Sequence, residues 1–141
     1  MTDIKPNLIA GAWSTGVGAI ENYNPSDLSE VVGLYAQASV QDLDTAVEAA
    51  QAAQVEWAAY GLERKQAVLN AIGNEMMARA EELGTLLSRE EGKPLAEGKG
   101  EVYRAGQFFT YYAAEVLRQL GQNAQSVRPG VDIDIRREPV G

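Results

Sequence analysis

The sequence contains no cysteine and no histidine, and cationic side chains are scarce in it. The lack of cysteine excludes disulfides, thiolate nucleophiles and cysteine-ligated zinc or iron–sulfur clusters within these residues. The lack of histidine excludes histidine-based catalytic triads and nearly all transition-metal sites. With 12 Lys and Arg against 20 Asp and Glu, the net charge is −8, which disfavours nucleic acid as a partner.

Long hydrophobic runs are also missing from the sequence. No apolar stretch approaches the roughly 18 residues that a membrane-spanning helix needs. The segment Met1–Pro6 lacks the apolar core of a secretory signal peptide. We therefore expect a cytoplasmic protein with no membrane partner.

What is present is typical of a folded protein, with 141 residues, 45% apolar and 23% charged. This length fits one modest domain or one piece of a larger domain. Three β-prone stretches, residues 7–13, 19–23 and 31–36, predict short strands within about 8–36. Asn24-Pro25-Ser26-Asp27 predicts the turn between the last two strands.

Helical periodicity dominates the middle of the chain and predicts helices over about 41–59, 63–91 and 96–120. Ser39 and Asp42 form a capping signal before the first helix, and its alanine-rich stripe favours close approach of another helix. Interior glycines cost about 1 kcal/mol each relative to alanine, so the second helix is expected to kink or split near Gly84. Gly92 and Pro94 indicate its end.

The last segment predicts a strand with one apolar and one charged face. Val131, Ile133 and Ile135 alternate with charged residues, whereas Gln122 to Ser126 resembles a loop. No later residue is available to pair with this strand, and an uncovered terminal edge is unfavourable unless another chain segment or a partner covers it. The sequence therefore predicts an α/β fold that is incomplete.

Glycine motifs give little support for a nucleotide site in these residues. Gly16-Val17-Gly18 and Gly98-Lys99-Gly100 do not complete the dinucleotide-binding pattern G-x-G-x-x-G, and we interpret both as turn or cap glycines. Gly92-Lys93-Pro94 is similar to the end of a phosphate-binding loop, but proline replaces the magnesium-binding Ser or Thr. No cofactor-binding residue is predicted within the chain.

Charged and aromatic clusters also have structural interpretations. Glu90 and Glu91 would point about 100° apart on a helix, which favours a solvated helix end over a catalytic pair. Asp132 and Asp134 share a strand face beside arginines, which favours ion pairing. The aromatic residues of 108–112 are interpreted as core and packing residues, because no basic surface accompanies them. No catalytic residue is predicted within the chain.

Six short motifs resemble, in order, the N-terminal portion of NAD(P)-dependent aldehyde dehydrogenases. Each motif is weak by itself, but together they cover the whole chain. They are Leu8-Ile9-Ala10-Gly11-Ala12-Trp13, Asn24-Pro25, Asp44 to Ala53 with Trp57, Glu90-Glu91-Gly92-Lys93-Pro94, Tyr111-Tyr112-Ala113 and Arg137-Glu138-Pro139-Val140-Gly141.

The resemblance implies a piece of a Rossmann-like enzyme. Residues 1–122 would be the N-terminal part of the coenzyme-binding domain, and residues 123–141 the first strands of a β arm that joins subunits. Such an enzyme oxidises an aldehyde to a carboxylate through a cysteine thiohemiacetal, with NAD or NADP as oxidant. The cysteine, the general base and the coenzyme site would all lie beyond residue 141, so the chain alone is expected to be inactive. The full-length relative would be a homo-oligomer, either a dimer or a tetramer.

One minor site also follows from the resemblance. Some relatives bind a monovalent cation through two backbone carbonyls before the Asn-Pro turn and a carboxylate before Gly-Lys-Pro. These positions correspond to Asn22, Tyr23 and Glu90 in this sequence. The alternative is an ordinary turn beside a glutamate at a helix end.

The sequence leaves one alternative open for the substrate and one for the function of the whole protein. The stretch from Asn24 to Ala36 looks most like the α-ketoglutaric semialdehyde (2,5-dioxovalerate) branch, and another short-chain semialdehyde is the alternative within the family. For the function, the alternative to an enzyme fragment is a complete, non-catalytic helical interaction module that oligomerises through its terminal strand. The end of the chain favours the enzyme fragment, because Pro139-Val140-Gly141 is typical of sequence that enters a buried strand.

Overall fold

The computed structural model describes residues 3–118 and 120–140 and has an α/β fold. Five strands come first: β1 (Ile4–Lys5), β2 (Asn7–Ile9), β3 (Ala12–Ser14), β4 (Gly18–Asn24) and β5 (Asp27–Gln37). Four helices follow: α1 (Val40–Ala59), α2 (Leu62–Ala78), α3 (Ala80–Glu91) and α4 (Leu95–Val116). A final hairpin consists of β6 (Gln122–Gln125) and β7 (Asp132–Ile135).

The N-terminal strands form a three-stranded sheet and a separate hairpin. The sheet has the order β1-β5-β4, with β1 parallel and β4 antiparallel to β5. The prediction of a single strand over residues 7–13 is wrong, because the chain turns at Ala10 and Gly11 between β2 and β3. Both residues have positive φ, 51° and 78°, as a tight hairpin turn requires. An alanine in this conformation gives no turn signal in the sequence.

The helix ends agree with the prediction at the start of α1 and differ from it in two other places. Ser39 and Asp42 form the predicted capping box at the start of α1. The long second helix splits at Arg79, and not near Gly84. The last helix ends at Val116, short of the predicted residue 120. Residue 119 of the predicted helix and residue 141 of the last motif lie outside the described residues.

Glycines lie where the helices α2, α3 and α4 approach one another most closely. A Cβ on Gly73 of α2 would lie 2.7 Å from the carbonyl oxygen of Gly106 in α4. A Cβ on Gly84 of α3 would lie 2.5 Å from the Cα of Lys99 in α4. The cost of glycine within a helix is therefore offset by backbone contact between helices. Gly98 and Gly100 both lie inside α4, where Gly98 faces α3, so the interpretation of this pair as turn or cap glycines is wrong.

The terminal strand β7 pairs with a strand that the sequence analysis did not predict. Strand β7 pairs in antiparallel register with β6, within the segment interpreted as a loop. The residues of β6 are polar and exposed on both faces, so they lack the alternation that marks a strand. The hairpin leaves Ile133 and Ile135 exposed.

Helix α1 is the least buried helix of the described chain. None of its residues is buried, and its alanine-rich stripe lies beside β2 and lines an open cleft with it. The expected close approach of a second helix is therefore absent from residues 3–118 and 120–140. In the same part of the chain, none of the helices combines the length and apolar character needed to cross a membrane.

Candidate functional site

The turn between β4 and β5 packs against the C-terminal end of α3. The side chain of Asn24 accepts a hydrogen bond from the Ser26 N–H at 2.9 Å, which fixes the turn. The Ser26 hydroxyl donates to the carbonyl oxygen of Gly92 at 3.0 Å. The turn is thereby joined to the residue at which α3 ends.

Gly92 makes this contact possible through its backbone conformation. Its φ is +70°, and its N–H donates to the Ser88 carbonyl at 2.8 Å, which closes the last turn of α3. A Cβ at this position would lie 2.7 Å from Ser26 Oγ and 2.8 Å from Pro25 Cγ. The predicted end of the helix at Gly92 is confirmed. Gly92 has a second role, because its lack of a side chain allows the β4–β5 turn to pack against the end of α3.

A second link between turn and helix is ionic. Glu30 on β5 accepts hydrogen bonds from the Asn24 side chain at 2.7 Å and from Arg89 Nε at 2.8 Å. Arg89 Nη2 also lies 2.6 Å from the same carboxylate. The bond from Asn24, followed by the bond from Arg89, lowers the pKa of Glu30 from its ordinary value of 4.5.

Two of the three residues predicted for a cation site are in direct contact. The Asn22 side chain donates to Glu90 Oε1 at 2.6 Å, although 68 residues separate them in sequence. Tyr23 directs its hydroxyl to Glu21, and this bond together with the carboxylate charge raises the pKa of Tyr23. The β4–β5 register shifts on both sides of Tyr23, so the regular ladder is interrupted there. Within the described residues, no group of three or more acidic side chains could hold a metal ion.

The carboxylates of the other two pairs make structural contacts, although Glu90 is half-buried and not solvated as the sequence predicted. Glu90 and Glu91 diverge, because Glu91 pairs with Lys93 at 2.5 Å while Glu90 contacts Asn22. On β7, Asp134 pairs with Arg136 at 2.7 Å.

The aromatic residues of α4 differ from their predicted role. Only Phe109 is half-buried, whereas Phe108, Tyr111 and Tyr112 are exposed and line a cleft with Arg104. These three residues therefore do not belong to the core of the described chain, and their packing against another element stays a prediction. Arg104 precedes Phe108 by one helical turn, and that i, i+4 spacing is the signal that sequence reasoning missed.

Comparison with known proteins places this geometry in a family. A model described as "Aldehyde dehydrogenase family" matches residues 13–141. The chain is 34% identical to the α-ketoglutarate semialdehyde dehydrogenase of Haloferax volcanii, over all of this chain and 30% of the relative. It is 33% identical to the α-ketoglutaric semialdehyde dehydrogenase of Bacillus subtilis, over 96% of this chain and 28% of the relative. The chain thus spans about 30% of the length of these relatives.

Solved structures give the same result for the fold. The succinate-semialdehyde dehydrogenase of Burkholderia pseudomallei aligns with a TM-score of 0.88 and 29% identity, over 96% of this chain and 28% of that protein. A putative methylmalonate-semialdehyde dehydrogenase from Sinorhizobium meliloti, solved with NAD, aligns with a TM-score of 0.85 and 31% identity. That alignment covers 100% of this chain and 29% of the other.

The resemblance seen in the sequence motifs is therefore confirmed, as is its similarity to the α-ketoglutaric semialdehyde branch. The α/β fold matches the N-terminal part of these longer enzymes. The chain belongs to the aldehyde dehydrogenase family.

Proposed function

We propose that the protein containing this chain oxidises an aldehyde to a carboxylate with NAD(P)+ through a cysteine thiohemiacetal. Residues 1–122 would form the N-terminal part of the coenzyme-binding domain, and residues 123–141 the start of the subunit-joining arm. The observation that carries this proposal is the 34% identity over the whole chain to a relative more than three times longer. The same observation disfavours a self-contained interaction module.

The reacting groups are expected outside residues 1–141. The sequence contains no cysteine. Gly16 belongs to the bend before β4, and Gly98 and Gly100 lie inside α4, so neither pair forms the strand-to-helix loop that cradles a dinucleotide. The proposal therefore assigns the coenzyme site to other parts of the protein, and the described residues would form a helical layer and its edge sheet.

We infer a semialdehyde as the substrate, with α-ketoglutaric semialdehyde preferred over other short-chain semialdehydes. The names of the relatives from Haloferax and Bacillus support this inference, and so does the turn from Asn24 to Asp27 quoted above. The proposal includes a homo-oligomer, either a dimer or a tetramer, that works in the cytoplasm.

The direct test uses the full-length protein purified from its source. We expect the absorbance of reduced nicotinamide to increase when 2,5-dioxopentanoate and NAD+ or NADP+ are added. The 141-residue chain should give no turnover, because it lacks a cysteine nucleophile. A full-length protein that oxidises no aldehyde with either coenzyme would contradict the proposal.

We also propose that the junction between β4 and α3 binds a monovalent cation. The backbone carbonyls of Asn22 and Tyr23 and the carboxylate of Glu90 would be the ligands. The interrupted ladder at Tyr23 and the contact between Asn22 and Glu90 support this proposal, because they bring β4 and the end of α3 together. Oxygen ligands of this kind suit hard cations.

Replacement of the carboxylate tests the cation site. In the full-length protein, Glu90→Gln should abolish any rise in unfolding temperature that K+ or Na+ produces relative to a bulky organic cation. Glu91→Gln is the matched control, because it removes the same charge from the neighbouring residue, which contacts Lys93 and not Asn22. Equal cation dependence in both variants would rule out the proposed ligand.

A further inference from the structure

The side chain of Asn22 connects two parts of the proposed cation site. Its amide nitrogen donates to Glu90 Oε1 at 2.6 Å, and both side chains are half-buried. Asn22 would also contribute its backbone carbonyl as a ligand, so one residue joins the carbonyls of β4 to the carboxylate at the end of α3. The position of Glu90 relative to those carbonyls is therefore restrained by this hydrogen bond.

The hydrogen bond leaves part of the carboxylate available for a ligand. A carboxylate accepts through both of its oxygens, and Asn22 engages only Oε1 of Glu90. Within residues 3–118 and 120–140, neither a hydrogen bond nor an ion pair engages Oε2. A neighbour that holds one oxygen and leaves the other is typical of side chains that orient a metal-binding carboxylate.

The charge of Glu90 is not balanced by the cationic side chains nearest to it in the sequence. Arg89 pairs with Glu30, and Lys93 pairs with Glu91. A neutral amide satisfies the hydrogen bonding of a half-buried carboxylate, but it does not cancel the charge, which is costly to remove from water. The arrangement is therefore suited to a cationic ligand at Glu90.

The backbone beside Asn22 departs from a regular ladder. Asn22 pairs with Gly33 and Tyr23 pairs with Val31, so Val32 is an extra residue on β5. An extra residue of this kind bends the strands and disrupts their hydrogen bonding. Strand β4 is also an edge strand of the sheet β1-β5-β4, so one side of its backbone pairs with no strand of the described chain. Carbonyl groups on that side are available to a hard cation.

We propose that Asn22 is a positioning residue that orients Glu90 for the cation. This inference rests on the cation site proposed above. The side-chain amide holds Oε1, so that Oε2 can join the backbone carbonyls of Asn22 and Tyr23 as a ligand. A glutamate side chain has several rotatable bonds, and without the amide their freedom would be lost only when the cation binds. The hydrogen bond therefore increases the affinity for the cation by ordering its ligand beforehand.

The test measures the cation dependence of stability in the full-length protein. The unfolding temperature is recorded at increasing KCl or NaCl, with tetramethylammonium chloride keeping the ionic strength constant. Asn22→Ala should raise the cation concentration that gives half of the maximal stabilisation by about 10-fold or more. Asn22→Ser, which keeps a polar side chain too short to reach Glu90, should give the same increase. Asn22→Gln should recover part of the loss, because it keeps the amide donor.

A control variant separates this inference from the proposed cation site. Asn7→Ala removes another half-buried asparagine, whose amide donates to the Ala36 carbonyl at 3.2 Å, and should leave the half-saturating cation concentration unchanged. If Asn22→Ala also left it unchanged while Glu90→Gln abolished the response, the bond would be merely structural and the role of Asn22 would be overturned. If the unsubstituted protein responded equally to K+, Na+ and tetramethylammonium, both the cation site and this inference would fall.

Discussion

Glu30 shows how a single charge joins distant parts of the chain. Its carboxylate accepts hydrogen bonds from Asn24, six residues away, and from Arg89, 59 residues away. Both bonds favour the ionised form and lower its pKa below 4.5. The ion pair is part-exposed, so solvent weakens it, but the hydrogen bonds fix the β4–β5 turn against the end of α3.

The pH dependence of stability should therefore include a contribution from Glu30. A carboxylate with a lowered pKa in the folded state adds stability above its unfolded pKa, near 4.5, and loses it as the pH falls through the folded value. We expect Glu30→Gln to reduce the loss of stability on acidification below about pH 4.5, as measured by urea unfolding of the full-length protein. Glu48→Gln, on the exposed face of α1, is the control and should leave the acid dependence unchanged.

Predictability at the scale of residues depends on sequence distance. The capping box at Ser39 and Asp42 and the helix stop at Gly92 use neighbours within four residues, so the sequence predicts both. The contact between Glu30 and Arg89 spans 59 residues and has no local signal. Asn22 and Glu90 were paired only through the family resemblance, and the structure brings their side chains together.

At the scale of elements, close helix packing is the main determinant of the described core. Gly106 of α4 faces α2, and a Cβ there would lie 2.6 Å from Met77 Cγ and 2.7 Å from the Gly73 carbonyl oxygen. The Gly73 carbonyl belongs to the helix backbone and has little freedom to shift. Side-chain volume at this position would therefore force α2 and α4 apart.

Two glycines on the same helix allow a matched experiment. We expect Gly106→Ala to lower the free energy of unfolding by about 1–3 kcal/mol, because the added methyl group overlaps α2. Gly100→Ala should raise it by up to about 1 kcal/mol, since a Cβ at Gly100 meets nothing within 4 Å and alanine favours helix. Urea unfolding of both variants measures the difference, and a similar change in both would contradict the packing account.

Elements were predictable where periodicity is strong. The start and end of α1 lie within one residue of the predicted bounds, because capping and a regular stripe coincide there. The break at Arg79 and the strand β6 were missed for physical reasons. Arg79 is the C-cap of α2, and arginine is a good helix former, so the residue type does not predict a break there. Strand β6 is exposed on both faces and lacks the apolar alternation that predicts a strand. The turn at Ala10 was missed because alanine seldom adopts positive φ.

At the scale of the whole molecule, the described chain exposes an unusual amount of apolar surface. On α1, Val40, Leu43 and Val55 are 77%, 61% and 74% exposed, and Trp13 of the β2–β3 hairpin is 70% exposed. Apolar surface of this extent is typical of regions that contact further protein. Among residues 3–118 and 120–140, the buried positions are mostly glycines, and no large side chain is fully buried there.

The isolated 141-residue chain should consequently associate in solution. We expect sedimentation velocity to show an average mass that rises with concentration, because exposed apolar faces on α1 and the β2–β3 hairpin would pack together. Leu43→Gln combined with Val55→Gln should reduce this association, since both side chains are exposed on α1. A monomer with a sharp, concentration-independent thermal transition would contradict this expectation.

The intact mass of the polypeptide isolated from its source tests the central claim most directly. The chain alone has a mass of 15.2 kDa and spans about 30% of the relatives that it resembles. If it forms part of an aldehyde dehydrogenase, the mass should be roughly three times that value, with a cysteine and a coenzyme site in the additional sequence. A mass near 15.2 kDa, with no aldehyde oxidation, would contradict the account.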